Sequence, residues 1–470
     1  MRTWVRNSLI FIFLVIAILV AAAFFLLRGQ MAEYTLDQLS GPDPVISEPR
    51  IERFPTINIA EIAGWAKDEA PIAAKGLTVT RFAEALDHPR QMYRLPNGDI
   101  LVAETNSPPR ENKGIEGWVM RNLMSQAGAG SASANRISLL RDADGDGVAE
   151  QKTVFLEGLN SPFGMALVGD TLYVANTDAV LAFPYSEGDT QITAKGEKIA
   201  DLNASKPNNH WTRNLIASPD GTSLFVAVGS NSNIGENGMD SEKQRAAILE
   251  IKLDDGNALR EYASGLRNPV GMDFHPITGG LWTVVNERDM LGPDLVPDYL
   301  AEVDVGIQFG WPHYYWGGYR DSRVEEVLLR DLSDYIRRPD YALGAHVAPL
   351  GVVFSHESVF CDAFANGAFI ARHGSWNRKP ASGYDVVFVA FADNGEPEDA
   401  LPVDVLTGFL TDNGDTRGRP TMVEIDATGA LLVTDDTAGI IWRVAPEPGS
   451  CPPIGGDSDD DSGAAVDEAA

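Results

Sequence analysis

EYASGLRNPVGMDFHPITGGLWTVVNERD, Glu261–Asp289, contains the pattern that decides the fold of this chain. In its second half, a turn with Pro and Gly (HPITGG) leads into a short apolar run (LWTVV), which ends in polar residues. Short apolar runs bounded by turn residues are typical of β-strands. Arg267 and Asn268 stand before another such run, so polar groups flank strands on both sides. A β-scaffold that presents polar chemistry at strand ends is therefore predicted.

The same turn-and-strand pattern occurs six times along the chain. The copies are LPNGDILVAE at 95–104, ALVGDTLYVAN at 166–176, SPDGTSLFVAVG at 218–229, HPITGGLWTVVN at 275–286, FANGAFIARHG at 364–374 and DATGALLVTDD at 426–436. Their turn glycines are Gly98, Gly169, Gly221, Gly280, Gly367 and Gly429. Propeller repeats usually run about 40–50 residues, so these longer repeats would carry insertions. We predict an all-β, six-bladed β-propeller over residues 76–450, with a pair of β-sandwiches as the alternative.

The amino-terminal segment is strongly apolar. Leu9–Leu27 contains 19 residues without a polar side chain, close to the roughly 20 needed to cross a bilayer as a helix. A cleaved signal peptide has a shorter apolar core, so residues 1–30 are predicted to be an uncleaved transmembrane anchor, with a cleaved signal as the alternative. Arginines before the run favour a cytoplasmic amino terminus. This predicts a single-pass protein of the inner (cytoplasmic) membrane with a periplasmic or otherwise extracytoplasmic domain.

The segments on either side of the predicted propeller, the net charge and the cysteines further limit the possible structures and functions. Residues 31–75 contain several prolines and are predicted to be a tether, whereas residues 451–470 are predicted to be an acidic disordered tail. A net charge of −30 argues against nucleic-acid binding, which needs a basic surface. The two cysteines, Cys361 and Cys451, either form one disulfide of an exported domain or are two unrelated thiols.

Two segments carry the strongest candidates for chemistry. His210, at the centre of NNHWTRN, is a candidate general base, because unperturbed histidine titrates near neutral pH. Arg267, at a strand start, could bind an anionic ligand or stabilise developing negative charge. The alternatives are an ordinary loop histidine and a surface arginine. The two segments are predicted to face one another across a pocket.

Two further loops, HGSWNRK (373–379) and DTRGRP (415–420), concentrate positive charge in an acidic chain. Together with the residue before the first loop they contribute five cations: Arg372, Arg378, Lys379, Arg417 and Arg419. Such a concentration indicates a polyanionic small ligand, with solvated loops as the alternative.

One acidic loop also has a recognisable spacing. DADGDG, Asp142–Gly147, places three aspartates as a calcium loop does. An EF-hand loop that starts at Asp142 would need Glu where Thr153 stands. A structural calcium turn and a plain Asp-Gly hairpin are both open, and the hairpin is favoured.

Taken together, these segments resemble the soluble quinoprotein sugar dehydrogenases, and more closely the sorbosone or pyranose dehydrogenases among them. The resemblance covers about residues 76–446. It is carried by eight strings in the same order: HPRQMYRLPNGDILVAET, RISLLRDADGDGVAEQKTVFLEGLNSPFGM, NNHWTRN, YASGLRNPVGM, NERDMLGPDLVPDYL, FGWPHYY, HGSWNRK and TRGRP. It implies a six-bladed propeller that binds pyrroloquinoline quinone (PQQ), with a calcium ion on the central axis. That fold agrees with the six copies of the turn-and-strand pattern.

The resemblance also implies roles for individual residues. It makes His210 the general base, and Arg267 and Asn268 the pair that contacts the quinone and the reacting oxygen. Further PQQ contacts map to His373, Asn377, Arg378, Arg417 and Arg419. The calcium ion would be held in the segment matching NERD, at Arg288 and Asp289, partly through backbone carbonyl groups.

These roles predict a PQQ- and calcium-dependent oxidation of an aldose or a sorbosone-like sugar aldehyde to a lactone or an acid. Electrons would then pass to a membrane quinone or a cytochrome, and the aromatic residues at 309–319 could stack on the sugar ring. Glucose is not assumed, because the soluble glucose enzymes have Gln where this chain has Asp99 and Lys in the segment matching HGSWNR. The alternatives are a calcium-dependent propeller lactonase and a non-catalytic anchored propeller.

Overall fold

The structure, a computed structural model, describes residues 4, 6–8, 10–11, 13–17, 29–109, 131–325 and 330–450. From residue 29 onward its regular elements are short β-strands and a few 3-10 helices. The 3-10 helices are Asp37–Leu39, Met239–Glu242, Arg330–Tyr335, Ser355–Glu357 and Asp362–Phe364.

The strands follow one another in chain order. They are β1 (Ser40–Gly41), β2 (Ile72–Ala73), β3 (Leu77–Ala83), β4 (Pro89–Arg94), β5 (Ile100–Glu104), β6 (Arg136–Arg141), β7 (Gln151–Leu156), β8 (Met165–Val168), β9 (Thr171–Ala175), β10 (Ala179–Pro184), β11 (Glu197–Asp201), β12 (Arg213–Ala217), β13 (Ser223–Val228), β14 (Ala247–Lys252), β15 (Ala258–Ser264), β16 (Pro269–Phe274), β17 (Leu281–Val285), β18 (Pro297–Val303), β19 (Tyr314–Tyr315), β20 (Tyr319–Arg320), β21 (Tyr341–Ala345), β22 (Pro349–Phe354), β23 (Gly367–Arg372), β24 (Asp385–Ala390), β25 (Val403–Thr407), β26 (Pro420–Ile425), β27 (Leu431–Asp435) and β28 (Ile440–Pro446).

Six sheets of four or five strands form the domain. They are β4–β7, β8–β11, β12–β15, then β16, β17, β18 and β21 with β1, then β22–β25 with β2, and finally β26–β28 with β3. The remaining pair, β19 and β20, is a small separate hairpin. The predicted all-β, six-bladed propeller is confirmed.

The first strand of each blade lies on the inside of the propeller. β4, β8, β12, β16, β22 and β26 contact one another in a closed ring. The last blade is completed by β3, which comes from the beginning of the domain and pairs antiparallel with β28 from its end. The ring is therefore closed by joining the two ends of the domain, which leaves no blade without neighbours.

Three glycines allow the inner strands to approach closely. A Cβ atom on Gly164 would lie 2.1 Å from the backbone nitrogen of Leu215 on the next inner strand. Gly271 and Gly351 meet the backbone of the following inner strand in the same way. All three belong to a Pro-x-Gly pattern at the start of an inner strand, in SPFGM, NPVGM and APLGV. The sequence therefore builds a narrow axis.

Apolar side chains close that axis. One buried cluster contains a side chain from each of five blades: Phe163, Trp211, Val270, Leu350 and Met422. The rings of Phe163 and Trp211 meet edge to face, with their centroids 6.2 Å apart. We call these five residues the axial cluster.

The turn glycines and the candidate site residues lie at opposite ends of the propeller. Five turn glycines lie in the connection from the first to the second strand of a blade, and Gly367 is the first residue of the second strand β23. His210, Arg267 and Arg419 precede first strands, whereas His373 and Asp289 follow second strands. First and second strands are antiparallel, so both sets of positions fall at one end, which we call the site end.

Residues 31–75, predicted to be a tether, are bonded to the propeller. β1 pairs with β21 and β2 pairs with β25, which adds a fifth strand to two blades. Between these strands, the N–H of Asn58 donates to the carbonyl oxygen of Trp376 at 2.7 Å. Trp65 Nε1 donates to the Asp435 carboxylate at 2.9 Å. The segment therefore runs across the site end.

The predictions for the termini concern residues that are described only in part. Most of the proposed membrane span, Leu9–Leu27, and the whole acidic tail, 451–470, lie outside the described residues. None of the helices formed by the described residues combines the length and the hydrophobicity that a membrane crossing requires. Cys361 is disulfide-bonded, and its Sγ atom lies 3.7 Å from the carbonyl oxygen of Ser450. The only other cysteine of the chain, Cys451, follows Ser450 and lies outside the described residues.

Two carboxyl groups lie close together near the axis at the end opposite to the site. Asp273 is near the end of β16 and Glu424 near the end of β26. Burial raises the pKa of Asp273 to about 7. Burial and the neighbouring charge of Asp273 raise the pKa of Glu424 to about 8.

These raised pKa values predict a loss of stability at alkaline pH. A carboxyl group whose pKa is higher in the folded than in the unfolded protein contributes stability in its protonated form. This contribution is fully present below the pKa of the unfolded state. It is lost as the pH rises through the pKa of the folded state, which is about 8 for Glu424. Glu424→Gln stays neutral at every pH. We expect its free energy of unfolding to fall less between pH 5 and pH 9, by on the order of 1 kcal/mol. Calorimetry of both proteins measures this, with exposed Glu398→Gln as control, and identical pH profiles would contradict it.

Candidate active site

His210 lies in the loop before β12 and is held by Ser230. Its Nδ1 atom is 2.8 Å from the carbonyl oxygen and 2.9 Å from the hydroxyl oxygen of Ser230. A carbonyl oxygen can only accept a hydrogen bond, so Nδ1 carries a proton, and in the neutral ring Nε2 then carries the lone pair. This is the tautomer in which Nε2 can accept a proton, as a general base must.

Gly229 brings His210 and Asn268 together. A Cβ atom on Gly229 would lie 2.1 Å from Asn268 Oδ1 and 2.5 Å from His210 Cβ. The next residue, Ser230, donates its N–H to the carbonyl oxygen of Arg267 at 2.7 Å. The His210 segment and the Arg267 segment therefore meet at Gly229 and Ser230, which no sequence motif had singled out.

Arg267 is buried, with 5% of its surface exposed, and each of its side-chain nitrogens has an acceptor within the protein. Nε and Nη2 donate to the carbonyl and side-chain oxygens of Asn233 at 3.2 and 2.9 Å, and Nη1 donates to the Glu287 carbonyl at 2.6 Å. Nη2 also donates to Asp289 at 2.9 Å, and Asp289 accepts from Asn377 at 2.9 Å. Three predicted site residues, Arg267, Asp289 and Asn377, thus form one network.

A second polar group surrounds Asp436, which follows β27. Its Oδ2 atom accepts from Arg90 and lies 3.1 Å from His373 Nε2, and its carbonyl oxygen lies 2.7 Å from His88 Nδ1. Burial opposes the charge of Asp436, but His373 and Arg90 outweigh burial and hold the pKa of this carboxyl well below its usual range. Burial lowers the pKa of His373, and Asp436 partly offsets this effect. The Arg90 guanidinium is 6.0 Å from the Trp211 ring centre, so this group borders the axial cluster.

Arg419 and Asn268 lie near the axis beside polar atoms that, among the described residues, are buried without a hydrogen-bond partner. Arg419 and Asn268 are each only 8% exposed, and the charge of Arg419 acts on the pKa of His373. Asn268 Oδ1, Asp436 Oδ1 and Arg90 Nε have no hydrogen-bond partner among the described residues. Buried polar atoms are nearly always satisfied in folded proteins, so these atoms indicate a site that a polar ligand or water completes.

Two predicted ligands of the anion, Arg417 and Arg378, are engaged elsewhere. The Arg417 guanidinium lies 5.9 Å from the ring centre of Trp65 and 3.7 Å from Glu69. Arg378 is buried, which lowers its pKa, and it donates to the carbonyl oxygen of Tyr34 at 2.9 Å. In this structure the contacts of both arginines are made within the protein, and their assignment to the ligand stays a prediction. Both turn towards the amino-terminal segment, whose course across the site end could not be read from the sequence.

The segment predicted to hold calcium does not fit a calcium ion as it is folded. Arg288 is fully buried, and its guanidinium donates to backbone carbonyls of residues 312 and 314 at 2.7 and 2.6 Å. The Asp289 carboxylate accepts from Arg267, and the Asp289 carbonyl oxygen accepts from Arg323 at 2.7 Å. Calcium needs 6–8 oxygen ligands, whereas guanidinium groups already contact the oxygens here. Arg288 and Asp289 are therefore members of a structural ion-pair network.

The acidic loop Asp142–Gly147 forms the hairpin that the sequence favoured, and a structural calcium turn at this loop stays a prediction. It joins β6 to β7 as a hairpin, and the N–H groups of Gly145 and Gly147 donate to the Asp142 carboxylate at 2.8 and 2.9 Å. It also gathers four carboxyl groups with oxygen atoms within 4.8 Å of one another, from Asp142, Asp144, Asp146 and Glu150. Glu150 is an addition that the sequence had not indicated.

The aromatic segment at 309–319 belongs largely to the core. Phe309, Tyr315 and Trp316 are 2–5% exposed and pack in one hydrophobic cluster with strands of the fourth blade. Trp311 is 4% exposed, and its Nε1 donates to the Asn233 carbonyl at 2.9 Å. These four side chains are not available to stack on a sugar, so that prediction is wrong for them.

Sequence reasoning missed Arg90, Asp436 and Ser230. Arg90 follows His88 and Pro89 in HPRQ, at the start of an inner strand, and Asp436 and Ser230 come shortly after second strands. Asp436 and Ser230 therefore share with His373 a place just after a second strand, whereas Arg90 lies at the start of a first strand. The signal that could have found them is therefore positional, since local sequence alone makes each an ordinary loop residue.

The fold is a closed propeller, and His210 and the charged group around Asp436 lie at one end of its axis. This arrangement is typical of propellers that bind a ligand or catalyse a reaction. The profile of the TrAA12-like family matches residues 71–296 and 331–447, and the chain belongs to that family. A pyrroloquinoline quinone-dependent sugar dehydrogenase of Hypocrea jecorina (strain QM6a) is 25% identical over 427 residues, covering 79% of this chain and 89% of that protein.

Solved structures have the same fold. The iodide structure of the Trichoderma reesei Carbohydrate-Active Enzymes Family AA12 superposes with a TM-score of 0.64 at 20% identity, over 80% of this chain and 98% of that one. The holo form of the pyranose dehydrogenase PQQ domain from Coprinopsis cinerea gives 0.62 at 19% identity, over 82% of this chain and 100% of that one. The resemblance to PQQ-dependent sugar dehydrogenases is confirmed by the family profile and the Hypocrea jecorina relative, and the solved structures confirm the fold.

Proposed function

We propose that this protein is a PQQ-dependent dehydrogenase that oxidises an aldose or a related sugar aldehyde, such as sorbosone, to a lactone or an acid. One observation carries the proposal. At the site end, a histidine in the proton-accepting tautomer meets Asn268 beside the axis. The same end holds the charged group around Asp436 and its unsatisfied buried atoms.

PQQ is an aromatic quinone that carries carboxylates, and the residues near the axis fit such a group. Arg90, Arg419 and His373 supply cationic or N–H groups, which bind carboxylates in proteins. Arg90 Nε and Asn268 Oδ1 are buried positions where a ligand could complete a hydrogen bond. The axial cluster supplies an apolar surface beside Arg90. PQQ, when bound, would accept the two electrons of the substrate as a hydride.

His210 would hold the proton that leaves the substrate hydroxyl. Its Nδ1–H is fixed on Ser230, so Nε2 can take up the proton while the ring keeps its orientation. Asn268 lies next to His210 across Gly229 and would orient the reacting oxygen through its amide. Arg90 and Asp436 are fixed charges, so they need no reorganisation during the reaction.

A dye-reduction assay tests the proposal. Purified protein is loaded with PQQ and offered a panel of aldoses and sugar aldehydes, including sorbosone, with product analysis for lactone and acid. Reduction that requires both PQQ and sugar is the expected result. PQQ binding without reduction by any sugar would contradict the substrate class, and failure to bind PQQ would contradict the whole proposal.

The site geometry favours this function over the two alternatives. A lactonase of the kind considered would need carboxylates and Asn converging on the axis. At the site end, the Asp436 carboxylate near the axis is bound by Arg90 and His373, and Asp273 and Glu424 lie at the opposite end. A non-catalytic propeller would have no need of buried unsatisfied atoms beside a histidine in a fixed tautomer. Calcium stays outside the proposed steps, because the segment expected to bind it does not fit the ion.

The electron acceptor and the compartment are part of the same proposal. The Cys361 disulfide is typical of an oxidising compartment, which supports a domain outside the cytoplasm. The run Leu9–Leu27 has the composition of a membrane anchor. A membrane quinone or a cytochrome would then receive the electrons. Membrane fractionation, followed by reduction of a quinone analogue or of cytochrome c, tests this part.

Gly229→Ala is expected to lower kcat by about 10²-fold, because the new methyl group needs space held by Asn268 and His210. The φ angle of Gly229 is not in the left-handed region, so the effect would come from displaced side chains and not from backbone strain. Gly318→Ala is the matched control, since a Cβ atom there meets nothing within 4 Å. Wild-type kcat in Gly229→Ala would show that His210 and Asn268 need not meet.

A further inference from the structure

We infer that Arg245 is a positioning residue for the general base, because one guanidinium fixes both the backbone of His210 and the carbonyl group that holds its Nδ1–H. The kinetic part of this inference rests on the proposed function. Arg245 belongs to no motif of the sequence. It lies two residues before β14 and is 3% exposed.

Four hydrogen bonds define the role of Arg245. Nη2 donates to the carbonyl oxygens of His210 at 2.6 Å and of Ser230 at 3.1 Å. Nε donates to the carbonyl oxygen of Gly229 at 2.8 Å, and Nη1 donates to Asn208 Oδ1 at 2.8 Å. These acceptors belong to two separate loops, the one that carries His210 and the one that follows β13. A single rigid, planar group therefore sets the distance between the base and its acceptor.

Arg213 supports only one of these two loops. It is fully buried, and it donates to the carbonyl oxygen of His210 at 2.9 Å and to Asn208 Oδ1 at 3.1 Å. Its other acceptors are the carbonyl oxygens of Thr212 and Asn203. Arg213 thus shapes the loop of His210, whereas Arg245 connects that loop to Ser230.

The two arginines are costly to bury side by side. Burial lowers the pKa of Arg245 to about 10, and the charge of Glu242 acts against that. Burial and the charge of Arg245 lower the pKa of Arg213 well below its usual range, and Asp178 acts against that. Burying charged groups is a poor source of stability. The two arginines therefore contribute position more than stability, because their hydrogen bonds to backbone carbonyl groups fix the loop that carries His210.

Arg245→Lys tests the inference, because it keeps the positive charge but replaces the planar group of three nitrogens by a single nitrogen, which cannot match the spacing of the acceptors in the two loops. We expect kcat of the PQQ-loaded protein to fall by about 10–10²-fold, while KM for the sugar and Kd for PQQ change by less than about twofold. The readout that does not depend on activity is 15N NMR of labelled histidine in the protein without PQQ. His210 should be the Nδ1–H tautomer in the wild type and a mixture of tautomers in the variant.

Two comparisons make the outcome specific. Arg213→Lys should lower kcat less than Arg245→Lys, because Arg213 does not contact Gly229 or Ser230. Arg443→Lys is the control. Arg443 lies on the last strand, β28, and pairs with Asp426 at 2.9 Å, so this variant should leave kcat and the His210 tautomer unchanged.

Several results would overturn the inference. The wild-type spectrum alone does so if His210 is the Nε2–H tautomer, even if Arg245→Lys fails to fold. An Arg245→Lys variant with unchanged kcat and an unchanged His210 tautomer would overturn it as well. So would a variant in which PQQ affinity falls by the same factor as kcat and the melting temperature also falls, because that is a general loss of structure. If the wild-type protein does not bind PQQ, the proposed function is contradicted, but the inference about Arg245 is not. The NMR comparison still decides whether Arg245 positions His210.

Discussion

Replacing His210 by alanine is expected to lower kcat of the PQQ-loaded protein by about 10²–10⁴-fold, the usual contribution of a general base. The affinity for PQQ should change little, because the cationic and N–H groups near the axis are supplied by Arg90, Arg419 and His373. Stopped-flow measurement of sugar oxidation, with a parallel PQQ titration, separates the two quantities. His356→Ala, at a histidine whose side chain is 43% exposed, is the matched control.

Full activity of His210→Ala would remove His210 from the chemistry and leave its contact with Ser230 without a catalytic purpose. The His210 ring is held on Ser230 through Nδ1. A large loss of kcat with unchanged PQQ affinity and unchanged melting temperature would therefore reflect the missing proton acceptor.

Replacing Arg267 by alanine is expected to lower the free energy of unfolding by about 3–5 kcal/mol, the cost of removing one partner of a buried ion pair. The change leaves the Asp289 carboxylate, the Glu287 carbonyl and both oxygens of Asn233 without the guanidinium that now binds them. Denaturant unfolding measures the effect. Arg260→Ala, at an exposed arginine paired with Glu250, should cost less than about 1 kcal/mol.

The Arg267 experiment also decides between two roles for this residue. The sequence resemblance predicted a direct contact with the quinone, whereas in the structure each side-chain nitrogen of Arg267 is bonded within the protein. Wild-type stability of Arg267→Ala, combined with a large loss of PQQ affinity, would favour the direct contact. A large loss of stability would favour the structural network.

The number of blades could be predicted from the sequence because each blade repeats a local signal. The turn between two strands is recognised from a few neighbouring residues that include a glycine, such as Gly98 or Gly429. Recognising such a turn requires no knowledge of distant parts of the chain. The Pro-x-Gly pattern at Gly271 and Gly351 has the same local character. Six such signals in order suffice to specify a propeller.

The site could be predicted only in part because its contacts are distant in sequence. Arg417 and Arg378 look like ligands until residues 31–75 are found across the site end, where Trp65 and Tyr34 contact them. Asp289 looks like a metal ligand until Arg267 is found on its carboxylate. Asp436 and Arg245 carry no motif, and only the closed ring shows that they lie beside His373 and His210.

The most direct test of the central claim is an anaerobic single turnover of the PQQ-loaded protein, followed through the absorbance of the cofactor after mixing with the sugar panel. The account predicts saturable binding of PQQ, followed by its reduction with at least one aldose or sugar aldehyde, at a rate that His210→Ala lowers by about 10²-fold or more. Bound PQQ that no sugar reduces, or reduction at the same rate in wild type and His210→Ala, would contradict it.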